Sequence, residues 1–433
     1  MATRLPRLGG ARAHVGIRHS MAAVSKVLLQ RGRQHWLVVA AALAVTLGAG
    51  AASELGLTAN SSLKPTTAAS ASPGAAHSTA GSGKGSGTVA LADGAHPMKF
   101  GLDYGSTLMS QSPAGIRTSL QDAVTVGAKW VRIDLPWETV QPNNALTYKW
   151  GKFDVVADTA KSLGLKIDAV LDATAYWDTT QACKRGTANT TFCPPSSDAD
   201  FAKFAAAAAR RYKNRGVGAW EVWNEPNLAA RWWPTPNAPA YAQMLTTVSN
   251  AIRGADRGAL VLMAGLAAVP DDAKQGFVSQ NRFLADVAHV GGSLANVDAV
   301  SYHPFSAPTR PSLAGDFADV SGSPDNLLRI LQTSGNPKLQ IWITESGDTE
   351  YDGALPPFGT KPTATQLQGQ AAYATDLVRT VSANPNVAAD FWFADQDIAT
   401  EHLYWGLRDE TGKARPVFNT LKAAIAACGC SVG

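Results

Sequence analysis

Short apolar runs alternate eight times with helix-length amphipathic segments, and that alternation predicts a (β/α)8 TIM barrel, one α/β domain. Such alternation implies a parallel sheet with crossover helices, and runs this continuously apolar favour closure into a barrel over an open sheet. The first run leads into "GLDYGSTLMS", which lacks G-x-G-x-x-G and so weakens the open nucleotide-binding alternative.

The elements follow in order. "MKFGLDYG" (98–105) precedes a helical segment from Ser110 to Val126, and "KWVRIDLPW" (129–137) precedes "KFDVVADTAKSLG", whose Gly164 closes a helix. "LKIDAVLDA" (165–173) leads through a long loop to the helix former "DFAKFAAAAARRYKN". "GAWEVWNEPN" precedes, after another long loop, a helix from Ala240 to Arg253. "ALVLMAGLAA" (259–268) precedes "NRFLADVAHVGG", and "VDAVSYHPF" (297–305) precedes a helix over Ser323 to Thr333. "LQIWITES" (339–346) precedes "QLQGQAAYATDLVRTVSA", and "VAADFWFAD" (387–395) precedes "PVFNTLKAAIAA".

The predicted barrel domain covers 97–433. Residues 1–35 carry seven Lys or Arg and no acid, so the formal net charge of +4 becomes −3 for the remainder, which offers no electrostatic footprint for nucleic acid. The basic stretch is the n-region of an export signal whose h-region is the uncharged "WLVVAAALAVTLGAGAA" within 36–53. That run is about the shortest able to span a bilayer, so residues 36–52 are read as a cleaved signal or a membrane tether. Met21 offers an alternative start. Residues 54–96, rich in Ser, Thr, Ala, Gly and Pro, read as a flexible linker. The expected location is secreted or membrane-anchored, with the barrel outside the cytoplasm.

Four cysteines suit an exported protein. Cys183 and Cys193 share one loop and are expected to pair, whereas "CGC" at Cys428 and Cys430 leaves a local bond, a bond to the body and free thiols open. No metal-ligand spacing appears, and no cofactor is expected. "NTT" at Asn189 is a glycosylation acceptor only in a host with that machinery.

The chemistry of a barrel sits at the C-terminal ends of its strands. "WEVWNEPN" ends the fourth strand on Glu225 and "IWITES" ends the seventh on Glu345, on opposite sides of the mouth. Opposed carboxylates in one pocket raise the proton affinity of one of them, and such a pair is the acid/base and nucleophile of a retaining glycosidase. Sugars present apolar ring faces beside hydroxyl edges. Trp137, Tyr176, Trp177, Trp223, Trp232, Trp233, Tyr302, Trp392 and Trp405, at or after strand ends, are accordingly candidate platforms.

In order, "KWVRIDLPWETVQP", "WEVWNEPN", "VDAVSYHPF", "IWITESG" and "YWGLRDETGKARPVFNTL" resemble glycoside hydrolase clan A over roughly 98–425. The pattern looks most like family 39 and related bacterial endoglycosidase-like proteins. The resemblance implies that Glu225 is the general acid/base and Glu345 the nucleophile. It implies further that Asn224 bonds the sugar 2-hydroxyl, Arg132 keeps the nucleophile ionised, His303 lies beside it and Trp392 floors the cleaved-sugar subsite. Phe305 stands where relatives often carry Tyr, so Tyr302 or another group would replace that donor.

Blander readings stand beside these. Asp134 and Glu221 are alternative partners of Arg132, with Glu221 read as structural. His303 could be a satisfied core histidine and each Trp core packing, while Glu138 and Asp395 are polar strand-end residues. The expectation is a retaining glycosidase acting as a monomer on an extracytoplasmic carbohydrate. A silent carbohydrate-binding barrel and a transglycosylase using the same residues are its rivals.

Overall fold

The structure is a computed structural model that describes residues 95–187, 189–305, 317–348, 361–397 and 404–433. The export segment and linker lie outside them. No helix among the described residues is long and apolar enough to cross a membrane.

Eight parallel strands close in sequence order, each pairing with its neighbours and β1 with β8. They are β1 Lys99–Asp103, β2 Trp130–Pro136, β3 Lys166–Asp172, β4 Val217–Asn224, β5 Leu260–Ala267, β6 Ala299–His303, β7 Gln340–Ser346 and β8 Val387–Phe393. The crossover helices are α1 Pro113–Val126, α2 Gly151–Ser162, α3 Asp198–Tyr212, α4 Ala238–Ala255, α5 Gln280–Ala288, α6 Leu327–Thr333 and α7 Ala364–Ala383, and α8 Pro416–Cys428 closes the chain. The expected fold is therefore the observed one.

Local chemistry sets the helix ends. Ser112 caps α1 by accepting from the Gly115 N–H, and Pro113 supplies a preset φ at the first position. Gly127 closes it at φ 92°, a left-handed value glycine adopts without a Cβ penalty. Thr363 and Gln366 form a reciprocal capping box on α7.

Strand alternation divides the buried residues into two layers. Outward residues such as Val131, Ile133, Val222, Val300 and Ile343 pack beneath the helices in the main core. Inside the barrel, Trp130, Ala219, Leu262, Ala299, Trp342, Ala389 and Phe391 fill the N-terminal end. Trp130 and Trp342 meet edge to face at 5.5 Å there, with Lys166 and Lys99 lying over their rings. Above this apolar floor the interior turns polar, with Arg132, Asp168 and Glu221 all buried. A charged middle layer is costly unless its members satisfy one another, and that requirement organises the site.

Cys183 and Cys193 are bonded, as expected, and Cys428 bonds Cys430, which resolves the alternatives for "CGC".

Candidate active site

Strand β4 ends in a distorted turn. Trp223 and Glu225 both take positive φ, 77° and 47°, values that L-residues with large side chains rarely adopt. The Glu225 N–H still bonds the Gly265 carbonyl at 2.9 Å, so the turn stays tied to β5 while its carboxylate swings into the mouth.

Arg132 is the hub below it. Its Nε and Nη2 donate to the two oxygens of Glu221 at 3.0 and 3.2 Å, and Nη2 also donates to Asn224 Oδ1 at 2.8 Å. Nη1 donates to Asp103 at 2.8 Å and to Glu345 Oε1 at 2.7 Å. Every N–H of the guanidinium is thereby used. Burial alone would favour the neutral base, but Glu221, Asp103 and Glu345 together hold Arg132 firmly charged. Glu221 is the structural partner expected, and Asp103 takes the place weighed for Asp134. Burial drives Asp103 itself up to about 7 despite Arg132.

His303 sits between the two carboxylates of interest. Its Nδ1 lies 3.2 Å from Glu225 Oε1 and 3.6 Å from Glu345 Oε1, while Nε2 meets Thr344 Oγ1 at 3.0 Å. Burial pushes the imidazole towards neutrality, but Glu345 and the bond to Glu225 reverse this and raise its pKa. Glu225 moves the other way. Burial raises it, and the His303 bond and charge, with Arg231 and Arg132 behind them, bring it below the usual carboxylate value. The rise in proton affinity expected of one carboxylate is not met at Glu225, because the His303 imidazole shares its oxygen and outweighs the effect of burial. Arg231, in the loop after β4, lies 3.5 Å from Glu225 Oε2.

One contact explains a glycine. A Cβ on Gly265 would fall 2.0 Å from His303 Nε2, so only glycine lets the imidazole lie against β5. Glu225, His303 and Glu345 bring one ligating atom each within 4.8 Å of one another. The group could hold an ion by distance, but the His303 nitrogen that would bind it already bonds Glu225.

The family model for cellulase, glycosyl hydrolase family 5, matches residues 95–398, which is the barrel from before β1 to beyond β8. The chain belongs to that family. Family 5 sits in the clan that the sequence motifs resemble.

Solved structures share the fold of this family 5 chain. A monomeric β-xylosidase from Caulobacter crescentus CB15 is 18% identical with TM-score 0.58, covering 76% of this chain and 68% of that one. A family 39 glycoside hydrolase from Bacteroides cellulosilyticus WH2 is 20% identical with TM-score 0.53, over 78% and 66%. A GH5_18 protein from Streptomyces cattleya, in complex with GlcNAc, is 16% identical with TM-score 0.54, over 78% and 82%. Among curated proteins, the chloroplastic β-amylase 1 of Arabidopsis thaliana is 36% identical over 56 residues, so the chain spans 10% of that relative.

The aromatic candidates of the family 5 barrel divide by strand parity. Trp392 points outward, with its indole N–H on the Trp405 carbonyl and its ring edge to face with Tyr373 of α7. It cannot floor the sugar site; Phe393, one residue on, faces the mouth with Phe305 and Trp405. Tyr302 also points outward and donates to Asp319. It therefore cannot supply the donor absent at Phe305, and the groups beside Glu345 are Arg132 and His303. Trp137 is fully buried against Phe204 of α3 and so is packing rather than platform.

Trp223 and Trp232 are buried edge to face with each other and are likewise core. Trp177 is half-buried, with its indole N–H on the Gln141 carbonyl and its ring edge to face with Trp137, while Tyr176 is exposed beneath Lys184 and Trp233 packs against Gly186. Asp103, Arg231, Thr344 and Gly265 were missed from sequence. Only Asp103, polar at a strand end, carried a readable signal.

Proposed function

We propose that this family 5 glycosidase is a retaining hydrolase of an extracytoplasmic oligo- or polysaccharide. Glu345 is its nucleophile and Glu225 its acid/base. The reading rests on one observation: Glu225 and Glu345 each present an oxygen to His303 Nδ1, with one oxygen of each within 4.8 Å of the other, so both carboxylates converge on one point of the mouth as a double-displacement pair must.

Glu345 attacks the anomeric carbon as Glu225 gives its proton to the departing oxygen. The Arg132 bond aims the Glu345 oxygen that attacks. Asn224, pinned by Arg132, presents its amide to the 2-hydroxyl. Glu225 needs a proton for the first step, and His303 Nδ1 is the group placed to share one with it. Glu225 then takes a proton from the water that releases the sugar. Two carboxylates and a water complete the reaction without a cofactor. Residues 36–52 would export or tether the chain, which acts as a monomer.

The test is product analysis by mass spectrometry on a polysaccharide panel, wild type beside Glu225→Gln and Glu345→Gln. Release by wild type alone supports the assignment; equal release by either variant overturns it.

A further inference from the structure

Two carboxylates at the mouth take no part in the reaction described. Asp134 stands on β2 one inward position above Arg132 and is 8% exposed, yet among the described residues its carboxylate has no hydrogen-bond partner. Arg132 beneath cannot serve it, because all its N–H groups are committed. Asp172 ends the adjacent β3, and its Oδ1 is buried without a partner. Burial and then the Asp172 charge act most strongly on Asp134, and both raise it. Glu138, on the helical turn Trp137–Val140, adds a third carboxylate beside Asp172.

We propose that Asp134 and Asp172 form a subsite for a free amine, making the substrate a glycan that contains de-N-acetylated hexosamine. This rests on the glycosidase reading and names its substrate class.

A lone unpaired buried carboxylate is costly, and two in each other's field are costlier. An ammonium group offsets both, through charge-assisted bonds that a hydroxyl does not match. A uronic acid would bring another anion against Asp134, Asp172 and Glu138. Arg231, over Phe192 and 3.5 Å from Glu225, offsets part of the Asp172 charge, but the cation among the strongest influences on Asp134 is Arg132, whose N–H groups are committed. An N-acetyl group carries no charge, so the subsite separates the free amine from its acetylated form.

The test measures binding and cleavage by the full chain with glucosamine oligosaccharides, their N-acetylated counterparts and neutral gluco-oligosaccharides. The amine form should bind about tenfold or more tightly, less so at high salt, and Asp134→Asn should erase the advantage. Asp172→Asn provides a second variant should Asp134→Asn lower the melting temperature. Equal binding of amine and acetyl forms overturns the inference. Cleavage of neutral or acetylated glycans without amine preference also overturns it, while leaving the glycosidase reading intact. Tight amine binding, lost in Asp134→Asn, with no cleavage of any glycan would uphold the subsite and sink the glycosidase reading.

Discussion

Arg132 Nη1 lies 2.7 Å from Glu345 Oε1 and holds Asp103 at 2.8 Å with the same nitrogen. One guanidinium therefore ties the end of β1 to the end of β7 through β2, and the orientation of Glu345 depends on a cation buried beneath it.

Arg132→Lys should lower kcat by about a hundredfold or more, because a single ammonium cannot replace a planar fork bonded to four side chains. Arg132→Met should also destabilise the fold by about 3–5 kcal/mol, since it strands Glu221, Asp103 and Glu345 without their cation. Steady-state kinetics and urea melts check both. A Lys variant with native kcat would refute the positioning role.

Glu225→Ala should lose activity on natural glycans and regain it with azide on a substrate bearing an activated leaving group. Azide attacks the glycosyl-enzyme without a base, and Glu345→Ala should show no such rescue with retention. Product stereochemistry by NMR reads the outcome.

Gly265→Ala should move His303 away from Glu225, because the new methyl occupies the imidazole's place. Glu225 must be protonated for the first step, so the basic limb of the kcat/KM profile should then shift upward as Glu225 loses the partner that holds its pKa down. A profile identical to wild type would remove His303 from the tuning of Glu225.

Stability should fall as pH rises from acid towards neutral and beyond. Burial lifts Asp390 to about 7, so the native state binds its proton more tightly than the unfolded chain and loses that advantage as pH climbs from about 4 to about 7. His303, also raised, contributes stability that is complete below the ordinary histidine pKa and lost above its elevated one. Glu225, lowered, acts oppositely, and its contribution disappears only in strong acid. Melting temperatures across pH should show a decline that Asp390→Asn flattens.

The barrel and its two glutamates were legible because both signals are local. Apolar runs announce strands, and Glu225 and Glu345 stand at the ends of theirs whatever the register. Trp392 and Tyr302 were misplaced because side chains reverse faces at each residue of a strand, and composition does not say which face looks inward. Phe393 and His303, their immediate neighbours, occupy the inward positions. Arg231 was invisible because a loop carries no periodicity. Gly265 was invisible because its reason is an imidazole on another strand.

The paired indoles of Trp130 and Trp342 cork the barrel at its N-terminal end. Every proton that reaches Asp103, Glu225, His303 or Glu345 must therefore come through the mouth that admits the sugar. A glycan lying across that mouth would stand in the path of those protons and of the water that releases the sugar, so Glu225 exchanges with solvent most freely before binding and after release. On this geometry the proton that Glu225 gives up is loaded in the free enzyme, so its limb is read from kcat/KM more than from kcat.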